Sequence, residues 1–120
     1  MTSPTQRTLA RLRKDGWTAQ VVERWNPYAH IRQDLFGIID ILAIRKDEIL
    51  GVQATSGSNV PARVKKSLEE GRESLERWLL AGGHYEVWGW AKRGARGKRK
   101  LWTVRRVRFW LGPDGIEHEG

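Results

Sequence analysis

Apolar positions along the chain change period several times, and each change marks an element. From Trp17 to Trp25 they alternate: Trp17, Ala19, Val21, Glu23 and Trp25 face one way, Thr18, Gln20, Val22 and Arg24 the other. A period of two predicts a half-buried strand, with Glu23 on its otherwise apolar side. Asn26-Pro27 breaks that strand and opens a loop through Asp34. Gly37 to Ile44 is apolar on both faces apart from Asp40, the mark of a central strand covered on both sides. Arg45 to Glu48 is a polar turn, and the chain returns as Ile49 to Thr55. Ser56-Gly57-Ser58-Asn59 then leads into a helix with Pro61 in its first turn. Here the spacing becomes helical, with Val60, Val64, Leu68, Leu75, Trp78 and Leu79 as one stripe ending near Ala81, before Gly82-Gly83. Two further strands, His84 to Ala91 and Leu101 to Leu111, flank a turn at Gly94-Ala95-Arg96-Gly97. At the start, Ser3-Pro4-Thr5-Gln6 predicts a capped helix that offers Leu9 and Leu12 to a core and stops at Gly16.

The predicted order is helix, three strands, helix, two strands: an α/β single domain on a central mixed sheet flanked by helices. The 120 residues suffice for one such core, from about residue 3 to 111, and a two-domain enzyme is excluded. Residues 112–120 are expected to be a flexible tail. No apolar run approaches the 18 or so residues of a membrane span, and the first residues lack a secretion signal, so a cytoplasmic protein is expected.

Composition narrows the chemistry. The chain has no cysteine, which excludes disulfides, thiolate catalysis and Cys-type zinc sites, and His30, His84 and His118 are too scattered for a His-based zinc motif. Any metal must be held mainly by oxygen. Lys and Arg number 22 against 14 Asp and Glu, a formal charge of +8. Nine of those bases (Lys92, Arg93, Arg96, Lys98, Arg99, Lys100, Arg105, Arg106 and Arg108) fall in one segment without a carboxylate, leaving 13 bases against all 14 acids elsewhere. The net charge thus lives in one piece, and a localised positive field attracts phosphates.

A symmetrical turn at Arg45 to Glu48 pairs Ile44 with Ile49 and sets Asp40 across from Gln53. Alternation then places Thr55 on the same face, so Asp40, Gln53 and Thr55 cluster on one side of the hairpin. Ile39, Ile41, Ala43, Leu50, Val52 and Ala54 take the apolar side. A carboxylate in such a strand costs several kcal/mol unless satisfied. Three answers are open: hydrogen bonds from Gln53 and Thr55, neutralisation by a cation such as Lys65, or a divalent ion held by Asp40 and Gln53.

Gly37-Ile38-Ile39-Asp40, a short turn and Gln53-Ala54-Thr55, in this element order, resemble the PD-(D/E)XK nuclease superfamily, with a restriction-endonuclease-like fold. Size and basic character are most similar to its archaeal-type and phage Holliday-junction resolvases. The resemblance covers about Ser3 to Ala91. It implies a Mg²⁺-dependent endonuclease, with Mn²⁺ as an alternative, acting on branched or structured DNA. Asp40 then takes the metal-binding Asp role and Gln53 the place of the usual Glu or Asp. Thr55 stands where Lys is usual, and Lys65 is the candidate to replace it, ahead of Lys66 and Arg63. The first helix lacks the acid such nucleases often carry there, so Glu23 or Asp34 must complete the metal ligands. Symmetrical cutting of a branched substrate implies a homodimer.

Arg93, Arg96, Lys98, Arg99, Lys100 and Arg105 are the expected phosphate contacts, which position a substrate without reading its sequence. Among the seven tryptophans, Trp88, Trp90 or Trp102 is a candidate to stack on an unpaired base. A catalytically inactive nucleic-acid-binding module on the same fold is the rival reading, favoured by Gln53 and Thr55. A basic RNA-binding protein is a third.

Overall fold

Ser3 caps the first helix as its sequence predicts. In the computed structural model, which describes residues 2–120, its Oγ accepts the Gln6 N–H at 3.2 Å, and α1 runs Pro4–Lys14. The strands are β1 (Thr18–Val21), β2 (Arg24–Asn26), β3 (Ile31–Gln33), β4 (Ile41–Arg45) and β5 (Glu48–Ser56). A single 3₁₀ turn at Gly57–Asn59 leads to α2 (Val60–Leu68) and α3 (Arg72–Leu80), followed by β6 (His84–Arg93), β7 (Leu101–Gly112) and β8 (Gly115–Glu119). Six strands form one mixed sheet in the order β1-β4-β5-β6-β7-β8, and β2 and β3 form a separate pair. Only β5 and β6 run parallel in the sheet, as their connection through two helices requires.

The two faces of the sheet are sorted by alternation. Ile41, Ala43, Leu50, Val52, Trp88 and Trp90 pack with Leu9 and Leu12 under α1. Tyr85, Val87, Val107 and Phe109 face the other way, beneath Val60 and Leu75 of α2 and α3. The predicted helical stripe is on that interface, with Val64, Leu68, Trp78 and Leu79 at its margins.

Several predicted boundaries move. The alternating run from Trp17 divides after Val21, because the N–H groups of Val22 and Glu23 both turn to the Asp40 carbonyl (2.8 and 3.3 Å), and the chain leaves the sheet. The loop through Asp34 contains β3. The central strand begins at Ile41, not Gly37: Leu35 and Ile39 close a tight turn by reciprocal bonds of 2.8 and 3.0 Å, with Phe36 and Gly37 at φ of 56° and 75°. That turn carries Ile39 to the α2–α3 face, opposite the expected side, where it covers Gly51; a Cβ there would lie 2.6 Å from Ile39 Cδ1. The long predicted helix is two, parted at Glu69-Glu70-Gly71, where Gly71 lets Ile38 approach so closely that a Cβ would sit 2.4 Å from its Cγ2. The expected flexible tail instead holds β8, paired with β7 from Arg108↔Glu119 to Gly112↔Gly115.

The predicted β4–β5 register is kept, from Arg45↔Glu48 through Ile44↔Ile49 to Ile41↔Val52. Asp40 stands one residue beyond, its N–H on the Val52 carbonyl at 2.9 Å.

Candidate active site

Three chain segments deliver three carboxylates to one place. Glu23 follows β1, Asp34 follows β3 and Asp40 precedes β4, and one oxygen from each lies within 4.8 Å of the others. Glu23 and Asp34 are half-buried and Asp40 is buried. One Asp40 oxygen, Oδ2, accepts the Ala54 N–H of β5 at 2.9 Å, and the other accepts Gln53 Nε2 at 3.2 Å. Burial, then the hydrogen bond and charge of Asp34, push the Asp40 carboxyl up to about 8. At Asp34 burial acts in the same sense but is outweighed by hydrogen bonds with Asp40 and Gln53 and by the fields of Lys66 and Arg63, so its pKa is lowered. The two carboxyls are thus driven apart, Asp40 toward its protonated form and Asp34 toward its charged form.

Gln53 organises this pair but is not turned to ligate a metal. Its amide nitrogen faces Asp34 Oδ2 (2.9 Å), Asp40 Oδ1 and the Ile38 carbonyl (3.0 Å), while Oε1 accepts Arg63 Nη1 at 3.3 Å. Turning the amide to present its oxygen to a cation would set that oxygen against the Ile38 carbonyl and the NH₂ against a guanidinium. In this arrangement Gln53 serves the two aspartates as a donor, where the sequence suggested a metal ligand. The same carbonyl also accepts the buried Tyr85 hydroxyl at 3.0 Å, and Ser67 Oγ lies 2.8 Å from the phenol oxygen. Tyr85 and Ser67 escaped the sequence reading, since nothing local joins positions 67 and 85 to Ile38.

Replacing Gln53 by leucine strips two carboxylates and a carbonyl of a donor and Arg63 of its acceptor. The expected loss is about 2 kcal/mol or more of folding stability, read from the urea midpoint at unchanged m-value.

The remaining predicted residues divide. Thr55 is buried on the predicted face, but its hydroxyl accepts Asn59 Nδ2 at 3.1 Å and serves the start of α2. Lys65 is exposed and borders a different depression, with Val64, Arg105 and His118, whereas Arg63 and Lys66 are the bases of α2 whose fields reach Asp34. Helical geometry explains the exchange, because positions 63 and 66 share a face that 65 leaves.

Arg93, Arg96, Lys98, Arg99 and Lys100 are all exposed around the β6–β7 hairpin. Arg105 stands apart on β7, where Nε and Nη2 both donate to the Gly120 carbonyl (3.1 and 3.0 Å). As stacking platforms, Trp88 and Trp90 are buried and their indole N–H groups bond Glu86 and Thr8. Trp102 is partly open, but the Arg7 guanidinium lies 3.6 Å from its ring centroid.

No helix among the described residues is long and apolar enough to cross a membrane. No family model, curated protein or solved structure matches this chain.

Proposed function

We propose that the protein is a metal-dependent endonuclease of the restriction-endonuclease-like fold, acting on branched or structured DNA in the manner the Holliday-junction resolvase resemblance implies. The observation that carries this reading is the convergence of Glu23, Asp34 and Asp40, two of them brought from outside the main sheet, at the start of a central strand. With the β2–β3 pair set aside, the main elements run helix, three antiparallel strands, helices and a strand parallel to the third, an order that supports this reading, as does the contact between Asp40 and Gln53.

The donor set fits a hard dication. Carboxylate oxygens suit Mg²⁺ or Mn²⁺, and ligands at about 2.1 Å lie roughly 3–4 Å apart. The 4.8 Å spread of this cluster needs only a slight contraction. Three acids this close repel one another unless a proton or a cation lies among them, and the raised Asp40 pKa is the signature of that repulsion together with burial. Glu23, Asp34 and Asp40 would hold the ion, with Gln53 keeping the two aspartates in place. A bound dication lowers the pKa of water and offsets charge on a phosphate. Arg63 sets a guanidinium beside the site, where it offsets anionic charge.

The rival reading, a catalytically inactive binding module, is favoured by one observation: neither Thr55 nor Arg63 supplies the titratable ammonium the nuclease motif usually places here. Incubation with a four-way junction, a flap and a plain duplex, each with Mg²⁺ or Mn²⁺, separates the two. Metal-dependent cutting that prefers the branched substrates is the expected result. Tight binding without cutting under either metal establishes the inactive module instead.

A further inference from the structure

The residues that separate Glu23 from Asp34 have no core beneath them. β2 and β3 pair with each other through Arg24↔Gln33, Trp25↔Arg32 and Asn26↔Ile31, and every residue from 24 to 33 except Asn26 is exposed. Two strands without hydrophobic backing are marginal in water. The tip is nevertheless well built: Asn26 Oδ1 accepts the N–H groups of Tyr28 (2.9 Å) and Ala29 (3.1 Å), and His30 takes a left-handed φ of 54°. This turn holds out Tyr28, 94% exposed, three residues after Trp25, 53% exposed.

Alternation along the pair puts Trp25 and Arg32 on the face that carries Glu23 and Asp34, one step of about 7 Å further out. The Arg32–Glu23 ion pair at 3.2 Å lies along that face, and His30 meets the Trp25 ring edge-on at 6.3 Å between centroids. The segment from 24 to 33 contains Arg24 and Arg32 and no carboxylate. Trp25, Arg32 and the acid cluster therefore follow one another along a single surface, with Arg24, paired with Gln33, at the edge on the opposite face.

We infer that this hairpin receives an unpaired stretch of DNA, with bases stacked on Trp25 and Tyr28 and phosphate against Arg32, and leads that strand to the acid cluster. The inference rests on the nuclease reading for the kind of ligand and deepens it by naming which part of the substrate is gripped. An unpaired segment is the occupant because a ring stacks on an exposed base face, and a duplex hides those faces within its own stack. The positive flanks complement a phosphate backbone, which a neutral apolar partner would leave unanswered.

The test is binding in EDTA, where cutting is absent, by fluorescence anisotropy of a labelled fork with an unpaired arm and of a blunt duplex of equal length. The double variant Trp25→Ala, Tyr28→Ala should bind the fork at least tenfold more weakly and the duplex less than twofold more weakly, while Trp25→Phe keeps most of the fork affinity. Both side chains are exposed, and far-UV circular dichroism checks that the variant stays folded. Equal losses on fork and duplex, an unchanged fork affinity, or no DNA binding by the wild type each overturn the inference. Its fate is separable from that of the nuclease. A wild type that grips forks through these rings yet cuts nothing with either metal sinks the enzyme and leaves this site standing; cutting unaltered by the double variant does the reverse.

Discussion

Asp40→Asn is expected to stop DNA cleavage while leaving affinity for the same DNA in EDTA within about twofold of wild type. Loss of groups that merely support metal ligands typically costs 10–100-fold, so loss of a ligand should exceed about a hundredfold in rate. Asparagine keeps an oxygen for the Ala54 N–H and nearly the shape of the protonated acid but sets its NH₂ against the Gln53 amide nitrogen, so far-UV circular dichroism checks the fold. Its stability profile gives a second, independent readout. Burial and then Asp34 hold the Asp40 carboxyl up to about 8, so the folded chain binds this proton more tightly than the unfolded chain, whose carboxyl titrates near 4. The corresponding stability is complete below about pH 4 and is lost as the pH rises through about 8 in metal-free solution. Asp34, shifted down, has the opposite sign: its contribution is present above the unfolded value and is lost as the pH falls below it. In Asp40→Asn the decline between about pH 5 and 8 should flatten. Mg²⁺ or Mn²⁺ should stabilise wild type increasingly across the same interval, as the proton yields to the cation, and stabilise the variant little. Melting temperatures against pH, with EDTA and with each metal, check both statements. Cleavage by Asp40→Asn at the wild-type rate would remove the acid cluster from the chemistry.

Neutralising the hairpin tip is the second large effect expected. Arg96, Lys98, Arg99 and Lys100 lie in the exposed connection between β6 and β7, and none takes part in either core cluster. Exchanging all four for glutamine should leave folding intact and make the slope of log affinity against log salt shallower by about 3 to 4, the share of four phosphate contacts. At about 0.1 M salt this corresponds to a loss of roughly three orders of magnitude in affinity, and it should apply to duplex and fork alike, because phosphate contacts read no particular base. Titrations at several salt concentrations measure it, and an unchanged slope places the DNA elsewhere. The placement follows from the parallel pairing of β5 and β6. Gln53 pairs with Val87, and Arg93 lies six residues further along β6, so the tip stands about 20 Å beyond the acid cluster at the same end of the sheet. On the proposed function the tip and the β2–β3 hairpin would divide the work, one holding phosphates at a distance and the other an unpaired strand beside the acids.

Part of this was legible in the chain because it depends on neighbours. The turn Arg45 to Glu48 sets the β4–β5 register, and from that register Asp40 and Gln53 must meet on one face, as they do. The helical stripe from Val60 to Leu79 and the concentration of charge between Lys92 and Arg108 are equally local facts. Glu23 and Asp34 could be named as completing acids, but their meeting with Asp40 could not be derived. It depends on the N–H groups of Val22 and Glu23 turning to the Asp40 carbonyl, which ends β1 and throws out the hairpin that brings Asp34 back.

What the sequence by itself determined, then, is an α/β chain with a buried acid opposite an amide and a basic hairpin, because side-chain alternation and turn length act over a few residues. The tertiary structure alone decided which way the Gln53 amide points, that Arg63 and not Lys65 stands by it, and that Trp25 and Tyr28 are open while Trp88 and Trp90 are not. An amide has no preferred end until an unrelated carbonyl, that of Ile38, lies against it. A tryptophan is core or surface only according to whether another element covers its strand. Those are properties of segments brought together from distant parts of the chain, and no local pattern encodes them.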